Sequence, residues 1–140
     1  MPKGRILVFE DGIKTHLEKA QRIAVLGLSP KPQRDSHKVG LYLQKHGYTV
    51  IPVRPAQAEV IGEKAYPSLL EVPPPIDIVD AFINPARILP LAEEAVKIRP
   101  QLFWMQLGVE NNAAAELLLE AGIDVIMNRC IKIDHAKLIA

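Results

Sequence analysis

The stretch Arg22-Ile-Ala-Val-Leu-Gly-Leu-Ser-Pro-Lys31 decides the fold. Ile23 to Leu26 form a short, unbroken apolar run, which suits a strand buried on both faces of a parallel sheet. Gly27 ends the run. Pro30 and Pro32 then hold the backbone extended or turning, because each proline locks its own φ and moves its predecessor out of the α region. A helical pattern resumes near Ser36. Strand, glycine turn and helix in that order form a notch where free N–H groups and the positive end of a helix meet an anion, as in a Rossmann-type unit. The chain reads Gly-Leu-Ser at the turn and lacks the three-glycine dinucleotide fingerprint.

Outward from this stretch the same alternation repeats. Residues 1–10 read as a tail or a strap over a neighbouring element. Residues 11–20 read as a short helix, with Ile13, Leu17 and Ala20 at helical spacing and Asp11 as its cap. The first strand spans about 22–28. A helix over 36–46 carries Val39, Leu41, Tyr42 and Leu43 and ends at Gly47. Tyr48–Ile51 is the second strand, closed by the prolines of Pro52-Val-Arg-Pro55. Residues 59–61 form a short edge strand, 67–71 a helical turn and Pro73–Pro75 a stiff spacer. Strands follow at 76–83, 102–105 and 123–127. A helix runs over 86–98, with Pro90 in its first turn. Another begins at Asn111 or Asn112 and stops at Gly122. The segment after Cys130 is a further helix candidate.

Strands alternating with helices imply right-handed parallel crossovers. The expected fold is α/β: an open, doubly wound parallel sheet of about five strands, in the order 3-2-1-4-5. One domain spans residues 1–140, with residues 1–20 as its N-terminal tail and short helix.

Composition narrows the function. The 17 Lys and Arg nearly cancel the 16 Asp and Glu, so no charge excess calls for nucleic acid or an anionic membrane. No apolar run approaches the ~18–20 residues of a membrane span, and the N-terminus is no secretory signal. The single cysteine, Cys130, excludes an intrachain disulfide and fits a reducing, cytoplasmic setting.

Ligands of such sheets bind beyond the carboxyl ends of the strands. That rule selects Gly27, Leu28, Ser29, Lys31 and Arg34 after the first strand, and Val53, Arg54 and Pro55 after the second. It adds Asn84 and Pro85, then Gln106 and Gly108, then Asn128, Arg129 and Cys130 at the later exits. Small, polar and cationic residues collect on one rim, as a phosphate-bearing ligand requires. Blander roles stand beside these. Gly27 can simply turn the chain, and Lys31 and Arg34 serve equally as solvated loop charges. Trp104 in an apolar strand reads as core. Cys130, with no base near it in sequence, reads as a structural thiol. His135 follows Asp134, but adjacent residues on a helix do not face each other, so it reads as a satisfied or exposed histidine. His37 and His46, nine apart, match no metal-ligand spacing, and no metal site is expected.

The sequence resembles the small stand-alone CoA-binding proteins, themselves similar to the CoA-binding domain of the succinyl-CoA synthetase α subunit. The likeness covers roughly residues 15–138. It is carried by Ile23-Ala-Val-Leu-Gly-Leu-Ser-Pro-Lys-Pro32 with Arg34, Val50-Ile-Pro-Val-Arg-Pro55, Gly62-Glu-Lys-Ala-Tyr-Pro-Ser68, Asp77-Ile-Val-Asp-Ala-Phe82, Trp104-Met-Gln-Leu-Gly108, Ala121-Gly122, and Asn128-Arg-Cys130 with His135. The resemblance implies coenzyme A or an acyl-CoA as the ligand, its nucleotide end at the first βα turn and its pantetheine along the carboxyl edge. By that likeness Gly27 and Ser29 approach the pyrophosphate, Lys31 and Arg34 neutralise phosphate oxygens, and Val53, Arg54 and Pro55 line the adenosine. Arg54 stands where such segments commonly carry Asn, and Asn84 where a basic or other polar residue is frequent.

The related ligases act through a phosphorylated histidine in a second domain, which this length does not supply. A binding protein without turnover is therefore expected, alone, as a homo-oligomer or with a partner protein. The alternatives are an NAD(P)-dependent oxidoreductase-type domain, or a redox or regulatory protein forming a CoA mixed disulfide at Cys130. On this reading Gly27→Val abolishes binding and leaves the fold largely intact.

Overall fold

The computed structural model describes residues 3–140. The apolar run after Arg22 is β1 (Arg22–Leu26). It lies parallel to β2 (Thr49–Val53) on one side and to β5 (Ile78–Ala81) on the other, with β6 (Leu102–Met105) and β7 (Asp124–Ile126) beyond. Alternating side chains divide the core. Ile23, Val25, Ile78, Leu102, Trp104 and Ile126 pack under α1 (Glu10–Lys19), α2 (Asp35–Lys45) and α5 (Ile131–Leu138). Ala24, Leu26, Val79, Ala81, Phe103, Met105 and Val125 pack under α3 (Ile88–Ile98) and α4 (Asn112–Glu120). Burial on both faces is why these strands read as continuous apolar runs.

The open, doubly wound parallel sheet is as expected, but its order is β2-β1-β5-β6-β7. The strand read at 76–83 was expected outside the second; it lies instead against the free edge of β1. Pro52 supplies the reason. Its carbonyl accepts from Tyr66 N (3.0 Å) on the outer side of β2, so its missing N–H faces outward too, where a further ladder strand would need a donor. The loop at Tyr66 covers that edge, bridging to Val53 and accepting from Arg54 N at 2.8 Å. Placing Pro52 inside the second strand also corrects the reading that ended it at Ile51; proline is tolerated because β2 is an edge.

The short strand at 59–61 pairs not with the main sheet but in a separate antiparallel ribbon, β3 (Glu59–Val60) with β4 (Glu63–Lys64). Helix α1 starts at Glu10 without a side-chain cap, so Asp11 sits within the first turn, where its charge complements the helix dipole. The N-terminal segment is a strap: Ile6 bridges to Val125, Leu7 N donates to Val125 O at 2.8 Å, and Arg5 N to Asp124 Oδ1 at 2.9 Å. Met1 and Pro2 lie outside the described residues. At the start of α4, Asn111 Oδ1 accepts from Ala114 N at 3.0 Å. Trp104 is fully buried, and its indole N–H donates to Arg129 O at 2.8 Å.

Candidate functional site

The exits of β1, β2 and β5 meet at Gly27. Its N–H donates to Val53 O at 2.9 Å, and its carbonyl accepts from Arg54 Nη1 at 3.2 Å. Gly27 has φ +78°, and a Cβ there would lie 2.5 Å from the carbonyl oxygen of Phe82. The glycine is thus required by the left-handed turn and by the neighbouring backbone. This corrects the reading that Gly27→Val leaves the fold largely intact, because the space a side chain would need is taken by the Phe82 backbone just past β5.

Beyond the turn, hydrogen bonds fold the loop onto α2. Ser29 N donates to Ser36 Oγ (3.0 Å), Ser29 Oγ accepts from Lys31 N (3.1 Å), and Ser29 O lies 2.8 Å from His37 Nδ1. Ser29 is buried, so its first task is to shape the loop. Arg34 occupies the N-cap position of α2 without capping it through its side chain. Among the described residues, the N-cap side chain thus satisfies none of the orphan N–H groups of the first helical turn, beside the cleft that Asp35 and Ser36 line.

Three adjoining clefts follow the carboxyl edge. The first, of about 460 Å³, is bounded by Gly27, Val53, Arg54 and Pro55 and closed by Ser68, Asn84, Arg87 and Glu94. The second, of about 570 Å³, runs past Ser29, Lys31, Arg34 and Asp35 and shares Gly27, Arg54 and Phe82 with the first. The third, of about 370 Å³, meets the second at Asp35 and Phe82 and is walled by Val39, Gln106, Leu107, Cys130 and Ile133. Across the first two, Lys31, Arg34, Arg54 and Arg87 face Asp35 and Glu94. Four cations against two carboxylates favour an anion.

The structure thus assembles Gly27, Ser29, Lys31, Arg34, Val53, Arg54, Pro55 and Asn84, with Gln106 on the adjoining cleft. Of the other residues selected from the sequence, Cys130 lines the third cleft, and Leu28, Pro85, Gly108, Asn128 and Arg129 line none of the three. Leu28 is fully buried and sits where Gly40 leaves room for it. The Pro85 carbonyl accepts from Asn111 Nδ2 at 3.0 Å. Gly108 N donates to Asn128 Oδ1 at 2.7 Å, which joins two strand exits to each other. Arg129 grips Asp134 through two bonds, Nε–Oδ2 at 2.7 Å and Nη2–Oδ1 at 2.8 Å.

Asp134 is therefore no partner for His135. That histidine is buried and lies with Nδ1 2.8 Å from the Tyr42 hydroxyl; burial, with His46 nearby, lowers its pKa. Cys130 is half-buried on the wall of the third cleft. Among the described residues, no group of three or more His, Cys, Asp or Glu could hold a metal ion, and no helix is long and apolar enough to cross a membrane.

Arg87 and Ser68 also line the first cleft, and neither follows from the strand-exit rule. Arg87 ends a 3₁₀ turn (Pro85–Arg87) that Asn84 caps by accepting from Ala86 N at 2.9 Å. A cation one turn past a strand exit was the available signal. Ser68 arrives with the Tyr66 loop, whose course depends on tertiary contacts.

Asp80, in mid-β5, is fully buried between Val25 and Trp104. Its Oδ1 accepts from Gln106 Nε2 at 2.5 Å, and among the described residues its Oδ2 has no hydrogen-bond partner. Burial pushes its pKa up to about 7, against the smaller downward pull of the Gln106 bond. The folded state thus holds this proton to higher pH than the unfolded chain. The cost of ionising Asp80 is absent near pH 4 and complete just above pH 7, reaching up to about 4 kcal/mol. In urea titrations, the stability of Asp80→Asn relative to wild type should therefore rise between pH 4 and pH 8. A constant difference would contradict the assignment.

Known proteins align with this arrangement. An uncharacterised protein of Bacillus subtilis, YneT, is 44% identical over 124 residues, covering 89% of this chain and 92% of its own. A hypothetical protein from Pyrococcus horikoshii OT3 has the same fold throughout, with a TM-score of 0.92, 37% identity and 100% coverage of both chains. An ADP-forming acetate–CoA ligase of Archaeoglobus fulgidus is 32% identical over 72 residues, 51% of this chain but 10% of the ligase. The sequence pattern of the CoA binding domain matches residues 21–136, from the first residues of the sheet to the last helix. The chain belongs to the CoA binding domain family.

Proposed function

We propose that the protein binds coenzyme A or an acyl-CoA along the carboxyl edge of its sheet, without catalysing a reaction of its own. The observation that carries this reading is the continuity of a cation-rich cleft at the exits of β1 and β2 with a more apolar one beside α5. The diphosphate sits against the uncapped start of α2, with Lys31 and Arg34 as its counter-charges. Arg54, at the junction of the first two clefts, meets the ribose phosphate. Val53 and Pro55 flank the adenosine, and the pantetheine runs past Phe82 toward Gln106. Ser29 shapes the phosphate loop. Leu28, Pro85, Gly108, Asn128 and Arg129 support the rim and do not touch the ligand.

Thermal denaturation with CoA, dephospho-CoA, NAD and NADP tests this. A ligand at a hundred times its Kd adds about 2.7 kcal/mol to the native state, a rise of roughly 10 °C for a chain of this size. CoA should give the largest shift and dephospho-CoA a smaller one. A shift with NAD or NADP and none with CoA would replace this reading by the dinucleotide one.

A further inference from the structure

We infer that Gln106, held in one orientation by Asp80, is the specificity-determining group of the cleft beside α5, and that it selects an N–H donor such as an amide of a pantetheine arm. The inference rests on the CoA reading above and adds to it the group that reads the arm. Gln106 lines the third cleft, and its Nε2 is committed to Asp80 Oδ1 at 2.5 Å. Among the described residues its Oε1 has no hydrogen-bond partner. An ionised carboxylate only accepts, so it fixes which end of the amide faces it. Oε1 is then the end left for the ligand, an acceptor among Val39, Phe82, Leu107 and Ile133. An acceptor in such walls favours ligands that bring an N–H, because an unmatched polar group there goes unsatisfied.

Asp80 is accordingly a positioning residue. If it takes up a proton, its own O–H can donate to Gln106 Oε1. The amide then turns, and the cleft offers a donor in place of an acceptor. Proton uptake at Asp80 is set by its surroundings. Across the sheet it meets Val25 and Trp104, neither charged. The charged or titratable groups around the cleft are Asp35 and Lys38 from α2, Cys130 before α5, and Lys132 from α5. Buried His135 faces the same side of the sheet from α5. None of these contributes to the upward shift of Asp80, which follows from burial.

The test uses calorimetric titration of wild type, Gln106→Leu and Asp80→Asn with two probes, CoA and adenosine 3′,5′-bisphosphate, which lacks the arm. Gln106→Leu should weaken CoA about tenfold and leave the bisphosphate unchanged. From pH 6 to pH 8, wild-type affinity for CoA should rise several-fold relative to the bisphosphate, whose phosphate titration serves as the control. Asp80→Asn should flatten that ratio, and this arm decides the matter if Gln106→Leu does not fold. Equal losses for both probes, an unchanged CoA affinity, or a ratio that persists in Asp80→Asn overturns the inference while leaving the CoA reading intact. A wild-type protein that binds neither probe overturns the CoA reading first, and this inference with it.

Discussion

Gly27→Val should lower the melting temperature by roughly 10–15 °C and reduce soluble yield before any ligand is added. Two penalties combine. A β-branched residue at φ +78° is strained by about 1–3 kcal/mol. The Cβ would also stand 2.5 Å from Phe82 O, and that oxygen is backbone in a paired strand exit, which cannot rotate away. Relief requires β1 and β5 to separate locally, breaking Phe82 N to Leu26 O (3.0 Å) in the centre of the sheet. The total is about 3–5 kcal/mol, large against the 5–15 kcal/mol of a typical domain. Gly47→Val is the matched control: φ is +94°, yet among the described residues nothing beyond its chain neighbours lies within 4 Å of its Cβ, so only the backbone strain of about 1–3 kcal/mol remains. Equal melting temperatures for the two variants would show that the Phe82 contact does not govern the turn.

Removing the cations should have the opposite signature, with binding lost and stability kept. Arg54→Ala gives up one bond to Gly27 O at 3.2 Å, worth at most about 1 kcal/mol to the fold. A charge-assisted bond to phosphate is worth about 1.5–3 kcal/mol, so CoA affinity should fall roughly 10- to 100-fold. Lys31→Ala combined with Arg34→Ala should cost a similar factor and leave the melting temperature within about 2 °C, because both side chains are exposed. Raising salt should weaken wild type more than either variant. Affinity that falls less than threefold in Arg54→Ala would remove this residue from the phosphate site.

Much of the architecture was legible because its causes are local. Apolar runs between glycines and prolines mark the buried parallel strands, and Asn111 and Gly47 mark helix ends through their own backbone chemistry. The cationic rim was legible by position, since strand exits in such sheets all open on one edge. Arg129 follows a strand exit too, but Asp134, one helical turn further on, pairs with its guanidinium. Asp80 stands out in the sequence as a carboxylate within the apolar run Ile78-Val-Asp-Ala81. Asp77 in the same segment shows why spacing alone could not separate them, for it accepts from Gln21 N (2.8 Å) and Arg22 N (2.9 Å) at the opposite end of the strand.

Local order along the chain thus sets the elements, their alternation, the parallel sheet and the cationic rim. These follow from hydrophobic period and from the φ preferences of glycine and proline, which act over a few residues. The position of β5, the need for a glycine at residue 27 and the pairing of Asp80 with Gln106 come from long-range contacts. Each of these depends on which backbone edge or side chain arrives from a distant part of the chain: Tyr66 on the outer edge of Pro52, Phe82 beside Gly27, and Gln106 above a carboxylate 26 residues before it.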